Sequence, residues 1–242
     1  PSPVIVRVTL DFAPQSGGQS LNFVMNGSWN QQTPASSLTT ELPAHSGDRT
    51  NWNGGLQGRH TNYFGFGILS ETSLGLNRSR NYGVPYLALP SGTVRITSAF
   101  PDGSTGLKTV AFGGSSTMNT SQTNTGTEFS NALSWFSGNN KHRIKFTSEL
   151  RRDAFTQNQQ TNVLGSFTYN SLADLEAQQP SSFTRQLSPR IRHGSQYIGG
   201  VSLGDSYKRT DNLQLQFGAR LDGNRFTSKP DVNPDLTTVF GE

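Results

Sequence analysis

Cysteine is absent from the 242-residue sequence, which excludes disulfide bonds, thiolate metal sites and a cysteine nucleophile. No apolar run approaches the roughly 18 residues of a membrane-spanning helix, which excludes a helical membrane protein. Charged residues are scarce, at 15%, whereas soluble domains average about 25%. The net charge is only +4 and the basic residues are scattered, so we expect no nucleic-acid partner.

Serine, threonine, asparagine, glutamine and glycine take the place of the missing charges, with 26 glycines alone. They favour strands and loops, because the small polar residues compete for helical backbone hydrogen bonds and glycine weakens helices. One short helix is predicted nonetheless. Ser171 can cap it, Asp174 stands at the capping-box spacing and Pro180 ends it.

Apolar and polar residues alternate with a period of two over long stretches, which is typical of strands with one apolar face. The first stretch has its apolar positions at Val4, Val6, Val8, Leu10 and Phe12. Eight such stretches are predicted to form four hairpins, with strands near 4–12 and 21–29, 52–59 and 64–77, 128–135 and 143–151, and 197–203 and 213–222. The second hairpin is predicted to turn near residues 60–62.

The turns inside the hairpins are short, whereas the connections between hairpins are long. The long segments are 31–50, 78–126, 153–192 and 223–242, and short strands are predicted within the second of them at 86–90 and 93–97. Short turns at one end and long loops at the other are typical of an outer-membrane barrel. We therefore predict an all-β protein, an antiparallel transmembrane β-barrel of about eight strands with long extracellular loops.

Aromatic residues at the strand ends agree with this prediction. Trp29 and Trp52 flank a long loop, while Trp135 and Tyr207 lie at short turns, as in the aromatic girdles of such barrels. Aromatic residues also end strands in other proteins, so this pattern supports the barrel without deciding for it.

Five stretches of the sequence carry a resemblance to a known family, strongest from about 127 to 226. They cover residues 82–92, 131–145, 165–177, 196–205 and 215–226. The chain resembles TonB-dependent outer-membrane receptors. More narrowly, it resembles their Oar-like group, whose full-length members carry a carboxypeptidase-regulatory-like domain before the plug.

The resemblance implies a barrel of about 22 strands with an N-terminal plug. Residues 1–242 are then expected to be a portion of the barrel domain, without the plug or the C-terminal strand. It further implies the outer membrane of a Gram-negative bacterium and energised uptake of a nutrient ligand. The implied partners are outer-membrane lipid, the TonB energy-transducing complex acting through the missing plug, and a transported ligand that the sequence does not identify.

Alternation also selects candidate lumen-facing residues, because lumen charges tune the selectivity of such barrels. They are Arg7, Arg59, Lys145, Glu149, Arg151, Arg220 and Asp222. Glu149 and Arg151 share a strand face and are expected to pair.

Two other architectures remain open from the sequence. In a soluble all-β binding module, such as a carbohydrate-binding-like sandwich, the apolar faces would meet one another and Trp29, Trp52 and Trp135 would be sugar-stacking platforms. In a complete eight-stranded porin-like barrel, the strand near 4–12 would close on the strand near 213–222.

No catalytic, metal or cofactor site is predicted, and an enzyme is the least supported class. Residues 200–204 match the G-x-S-x-G nucleophile elbow, but the helix that must follow the serine is not predicted. Asp231, Asn233 and Asp235 have the alternating oxygen spacing of a calcium loop without its glycine and closing glutamate. The four histidines have no metal-ligand spacing.

Overall fold

The computed structural model describes residues 3–13, 17–35, 40–188 and 190–227. Within these ranges the chain forms twelve strands in two sheets, together with one α-helix and one 3-10 helix. In chain order the strands are β1 (Val4–Phe12), β2 (Gln19–Gln32), β3 (Gly47–Gly65), β4 (Ile68–Pro85), β5 (Ser91–Ala99), β6 (Thr105–Gly113), β7 (Thr120–Phe136), β8 (His142–Gln159), β9 (Ser166–Tyr169), β10 (Ser182–Thr184), β11 (Arg190–Thr210) and β12 (Leu213–Phe226).

The larger sheet has eight strands in the spatial order β1-β2-β3-β4-β7-β8-β11-β12. All of its neighbouring strands are antiparallel. The four predicted hairpins are therefore confirmed. Their short turns lie at one end of the sheet, which we call the turn end, and the long connections leave from the other, the loop end.

The second hairpin turns at Phe66 and Gly67, so the prediction of a turn near residues 60–62 is wrong. β3 continues through that region to Gly65. The backbone then adopts positive φ at three successive residues, +84° at Gly65, +52° at Phe66 and +76° at Gly67. Two of the three are glycines, which adopt this conformation without steric cost.

The long strands extend further toward the loop end than alternation predicts. Thr120 of β7 still pairs with Gln159 of β8, and Arg190 of β11 pairs with the same residue. Ladder hydrogen bonds need only backbone, so the strands continue after the apolar alternation has ended. Segments 31–50, 78–126 and 153–192 are accordingly shorter as loops than predicted.

The smaller sheet is built from the long connections, in the order β10-β9-β5-β6. The predicted strand at 93–97 lies within β5, whereas residues 86–90 are not a strand. The predicted helix is confirmed as α1 (Leu172–Glu176). Its cap is also confirmed, because the Ser171 hydroxyl accepts a 3.1 Å hydrogen bond from the backbone N–H of Asp174.

One face of the larger sheet is apolar, since its register aligns the apolar residues of successive strands. Leu10 pairs with Phe23, and Leu56 pairs with Leu76. These side chains are exposed, reaching 74% at Leu221. We call this side the apolar face.

The apolar face has no second layer packed against it. Among the described residues, the buried hydrophobic side chains are Val94 and Met118, and neither lies in the larger sheet. A soluble protein does not leave an apolar surface of this extent exposed. The structure therefore does not favour the soluble sandwich.

The two outer strands of the larger sheet are not paired with each other. In the described part of the chain, β1 pairs with β2 alone and β12 with β11 alone. The alternative of a complete eight-stranded barrel, in which the strand near 4–12 closes on the strand near 213–222, is therefore not supported. Within the described residues, the larger sheet is open, with β1 and β12 as its two edges.

Candidate functional site: the polar face and the loop sheet

The face opposite the apolar one carries most of the sheet's charges, and we call it the polar face. One row of register partners crosses the sheet there as Asp11, Asn22, Arg59, Ser73, Ser130, Glu149, Gly200 and Asp222. Arg7, Lys145, Arg151 and Arg220 lie two or four residues from members of this row on their own strands. Because side chains alternate with period two, all seven candidate residues share the polar face.

Three of the candidates form an ionic cluster. The guanidinium of Arg220 donates to Glu149 Oε2 at 2.7 Å and to both carboxylate oxygens of Asp222 at 2.9 Å. Glu149 lies in β8 and Arg220 in β12, so the contact crosses the intervening strand β11. The cluster thus links β8 to β12 across β11. All three side chains remain about half exposed.

Gly200 makes this crossing sterically possible. It lies in β11 between its register partners Glu149 and Asp222. A Cβ atom added there would collide with the Asp222 carboxylate and stand 2.9 Å from Arg220 Nη2. A glycine at this position therefore leaves the space that the ion pairs occupy.

Arg151 has a separate partner. Its Nε donates to Asp153 Oδ1 at 2.9 Å, and Glu128 is its register partner on β7. The expected pairing of Arg151 with Glu149 is therefore wrong, since each charge is bound by another group. Arg7, Arg59 and Lys145 have no carboxylate within 4 Å among the described residues.

A concavity of about 420 Å³ adjoins Arg151 on the polar face. It combines amide, charged and aromatic side chains, among them Asn77, Asn124, Arg151, Asp153, Phe155, Gln196 and Phe226. Phe155 and Phe226 are exposed although they lie on the polar side of the sheet. Hydrogen-bonding groups beside exposed rings suit a small polar ligand with one apolar surface.

At the loop end, three long connections join into one folded unit. We call the smaller sheet, formed by β5, β6, β9 and β10, the loop sheet. β9 comes from the β8–β11 connection and pairs in parallel with β5 from the β4–β7 connection. The β2–β3 connection joins through Ala111, whose N–H donates to the Thr40 carbonyl at 2.9 Å and whose carbonyl accepts from the Leu42 N–H at 2.9 Å.

A phenol–carboxylate contact links this unit to the rim of the larger sheet. The Tyr86 hydroxyl, just after β4, donates to Asp48 Oδ1 at 2.8 Å. That hydrogen bond to the carboxylate raises the pKa of Tyr86 above its ordinary value near 10. The phenol therefore stays protonated, and keeps the contact, to a higher pH than a free tyrosine.

Sequence reasoning missed the loop sheet. Its β5–β9 pairing joins residues about 75 positions apart, and no local pattern reports such a pairing. The alternation around 93–97 was the available signal, and it indicates a strand without indicating its partner.

The remaining motifs carry no site in the structure. Residues 200–204 lie inside strand β11, so the helix of a nucleophile elbow does not follow. Among the described residues, no three His, Asp or Glu side chains gather as a metal-binding group. Asp231, Asn233 and Asp235 lie outside the described residues. Within the described ranges, no helix has the length and hydropathy needed to cross a membrane.

Comparison with known proteins decides the class. A family model described as an outer membrane beta barrel domain matches residues 7–236. The chain belongs to this family. No curated protein and no solved structure matches it significantly.

Membership places the protein in the outer membrane and gives each face of the barrel domain its environment. The apolar face contacts lipid, the short turns lie on the periplasmic side and the long loops are extracellular. Trp29 and Trp52 are register partners near the loop end, and Trp135 lies near the turn end. All three lie on the lipid-facing side, as girdle residues do.

Proposed function

We propose that this barrel domain is part of a TonB-dependent receptor of the Oar-like group, which takes up a nutrient ligand in an energised step. Five sequence stretches support the proposal by their resemblance to that group. The polar face then lines the passage, and the loop sheet captures the ligand outside. No bond is made or broken in this role, so the proposal includes no catalytic residue.

The observation that carries the proposal is the concavity beside Arg151. It offers hydrogen-bonding groups on the face opposite the lipid-facing one. A barrel wall with a purely structural role needs only polar side chains that contact water on that face. Phe155 and Phe226 expose apolar rings on this polar face, which solvation alone does not explain. Contact with a passing ligand would explain their exposure. The transducing complex acts, in this proposal, through the plug of the receptor.

Depletion of solutes from the growth medium tests the proposal. Cells producing the full-length receptor are compared with deletion cells and with cells treated with a protonophore, and the medium is profiled by mass spectrometry. We expect at least one solute to be depleted only by energised cells with the receptor.

The variant Arg151→Gln should slow that depletion, whereas Arg209→Gln, at the turn end, should not. Depletion that continues without energy would indicate a passive pore. Identical profiles for deletion and receptor-producing cells would contradict uptake altogether.

A further inference from the structure

Among the described residues, four arginines of the larger sheet lie on its lipid-facing side, all in the loop-end half. Arg78 and Arg80 follow Leu74 and Leu76 along β4, and the other two are Arg152 and Arg225. All four are exposed. We call them the arginine band.

An arginine facing lipid is costly unless it lies near the headgroups. The cost is largest at the bilayer midplane and falls almost to zero at the interfaces. Arg78 lies two residues beyond Leu76 and Arg152 two beyond Leu150, which is roughly 7 Å along a strand. The band therefore lies at the extracellular margin of the apolar belt.

Three of the four arginines in the band lie over aromatic rings. The Cζ atom of Arg78 lies 6.0 Å from the centre of the Trp52 ring, and that of Arg80 lies 5.0 Å from the Tyr82 ring. Arg152 lies 5.9 Å from the Tyr197 ring. Such contacts hold these three guanidinium groups at the depth of the aromatic girdle.

The band has no protein counter-ion. Among the described residues, none of its members lies within 4 Å of a carboxylate. Asp48 shares this side of the sheet, but its carboxylate is bound by Tyr86 and Gln31. On the polar face, Arg151 and Arg220 are bound to carboxylates of the chain, whereas Arg7, Arg59 and Lys145 have none within 4 Å among the described residues but face water rather than lipid.

We propose that the arginine band binds the phosphate groups of lipids in the outer leaflet. The membrane is the one environment that meets this side of the sheet, and its anionic headgroups lie at the depth of the band. Guanidinium groups bind phosphate with paired hydrogen bonds. The proposal rests on family membership and does not depend on transport.

Native mass spectrometry of the full-length protein, purified from outer membranes, tests the proposal. The protein is titrated with bisphosphorylated lipid A and, separately, with the phosphate-free lipid monogalactosyl diacylglycerol. A contact near the surface contributes about 1 kcal/mol per arginine. Loss of two is then expected to weaken lipid A binding about 30-fold, at 1.4 kcal/mol per factor of ten.

The decisive variant is Arg78→Gln with Arg80→Gln. Its matched control is Lys141→Gln with Arg209→Gln, which removes the same charge at the turn end. We expect weakened lipid A binding in the first and unchanged binding in the second. A third variant, Arg78→Lys with Arg80→Lys, keeps the charge and should retain most of the affinity. Arg152→Gln tests the band independently if the double variant fails to fold.

Three results would overturn the proposal. The first is equal lipid A binding by the decisive variant and its control. The second is equal affinity of the wild type for the phosphate-free lipid, which would assign the binding to the apolar belt. The third is full displacement of lipid A by millimolar inorganic phosphate, which would indicate a site for a free anion.

Discussion

Two neighbouring residues of β3 provide a sharp test of which face meets lipid. Leu56 pairs with Met25 and Leu76 on the apolar face, whereas Gln57 pairs with Val24 and Gly75 on the polar face. Leu56 is nine residues from each end of β3 (Gly47–Gly65), so it lies at the strand midpoint. An arginine introduced at either position lies at almost the same depth in the membrane, but it faces lipid at position 56 and the polar side at position 57.

The expected cost differs sharply between the two variants. Leu56→Arg places a charge against the lipid one register row inside Arg78, which is roughly 7 Å along a strand. The cost there lies between the interfacial and the midplane values, at about 1–2 kcal/mol, a factor of about 5 to 30 in the folding equilibrium. Gln57→Arg stays on the wet side and should change the free energy of unfolding by about 0.5 kcal/mol or less. The difference arises from the bilayer, because Leu56 is already 54% exposed in the protein.

The assay is denaturant unfolding of the full-length protein in lipid vesicles, followed by tryptophan fluorescence and by heat-dependent gel migration. Equal costs for the two variants would refute the assignment of faces. A larger cost for Gln57→Arg would show that the faces are reversed. A second comparison in detergent should reduce the difference, since micelles adapt to a charge more readily than a bilayer does.

Three further predictions concern the ionic cluster and the loops. Gly200→Ala should displace the ionic cluster and alter uptake. The free energy of unfolding should change by under about 1 kcal/mol, because the added Cβ meets only the ends of side chains. Gly199→Ala is the control and should leave uptake unchanged. Gly114→Ala should loosen the loop sheet, because its Cβ would lie 2.7 Å from the Leu87 carbonyl oxygen. A protease added to whole cells should then cleave the extracellular loops faster. Gly138→Ala, whose Cβ would meet no atom within 4 Å, is the control and should leave the rate unchanged. The pKa of Tyr86 is higher in the folded protein than in the unfolded chain, so its hydrogen bond stabilises the fold fully below pH 10, and this stabilisation is lost as the pH rises through the higher folded value. Tyr86→Phe should therefore reduce the fall in the free energy of unfolding at high pH, as measured by denaturant titration. An equal fall in the variant would assign the pH dependence to another group.

The larger sheet could be predicted from the sequence because its rule is local. Every second residue of a strand faces lipid, so the apolar positions from Val4 to Phe12 show both the strand and its outward face. The same rule gave the seven polar-face residues. It failed at the polar ends of β7, β8 and β11, where both faces are wet and the alternation vanishes.

Contacts between distant segments could not be predicted in this way. The link from Arg220 to Glu149 depends on a glycine in the strand between them, and alternation alone suggested the nearer Arg151. The loop sheet likewise depends on a pairing between two separate connections. Each is fixed by three-dimensional register, which the sequence of one strand does not contain.

The distribution of counter-ions connects these observations into one physical account of the barrel wall. A wet face can hold charges with or without a carboxylate beside them, because water solvates the unpaired ones. Arg220 is paired in the ionic cluster, whereas Arg7, Arg59 and Lys145 have no carboxylate within 4 Å among the described residues. A lipid-facing side cannot keep charged pairs at depth, so its arginines lie where headgroups begin and take aromatic rings as neighbours. The protein neutralises Arg220 within its own wall, and in the arrangement that we propose lipid phosphates supply the counter-ions of the arginine band.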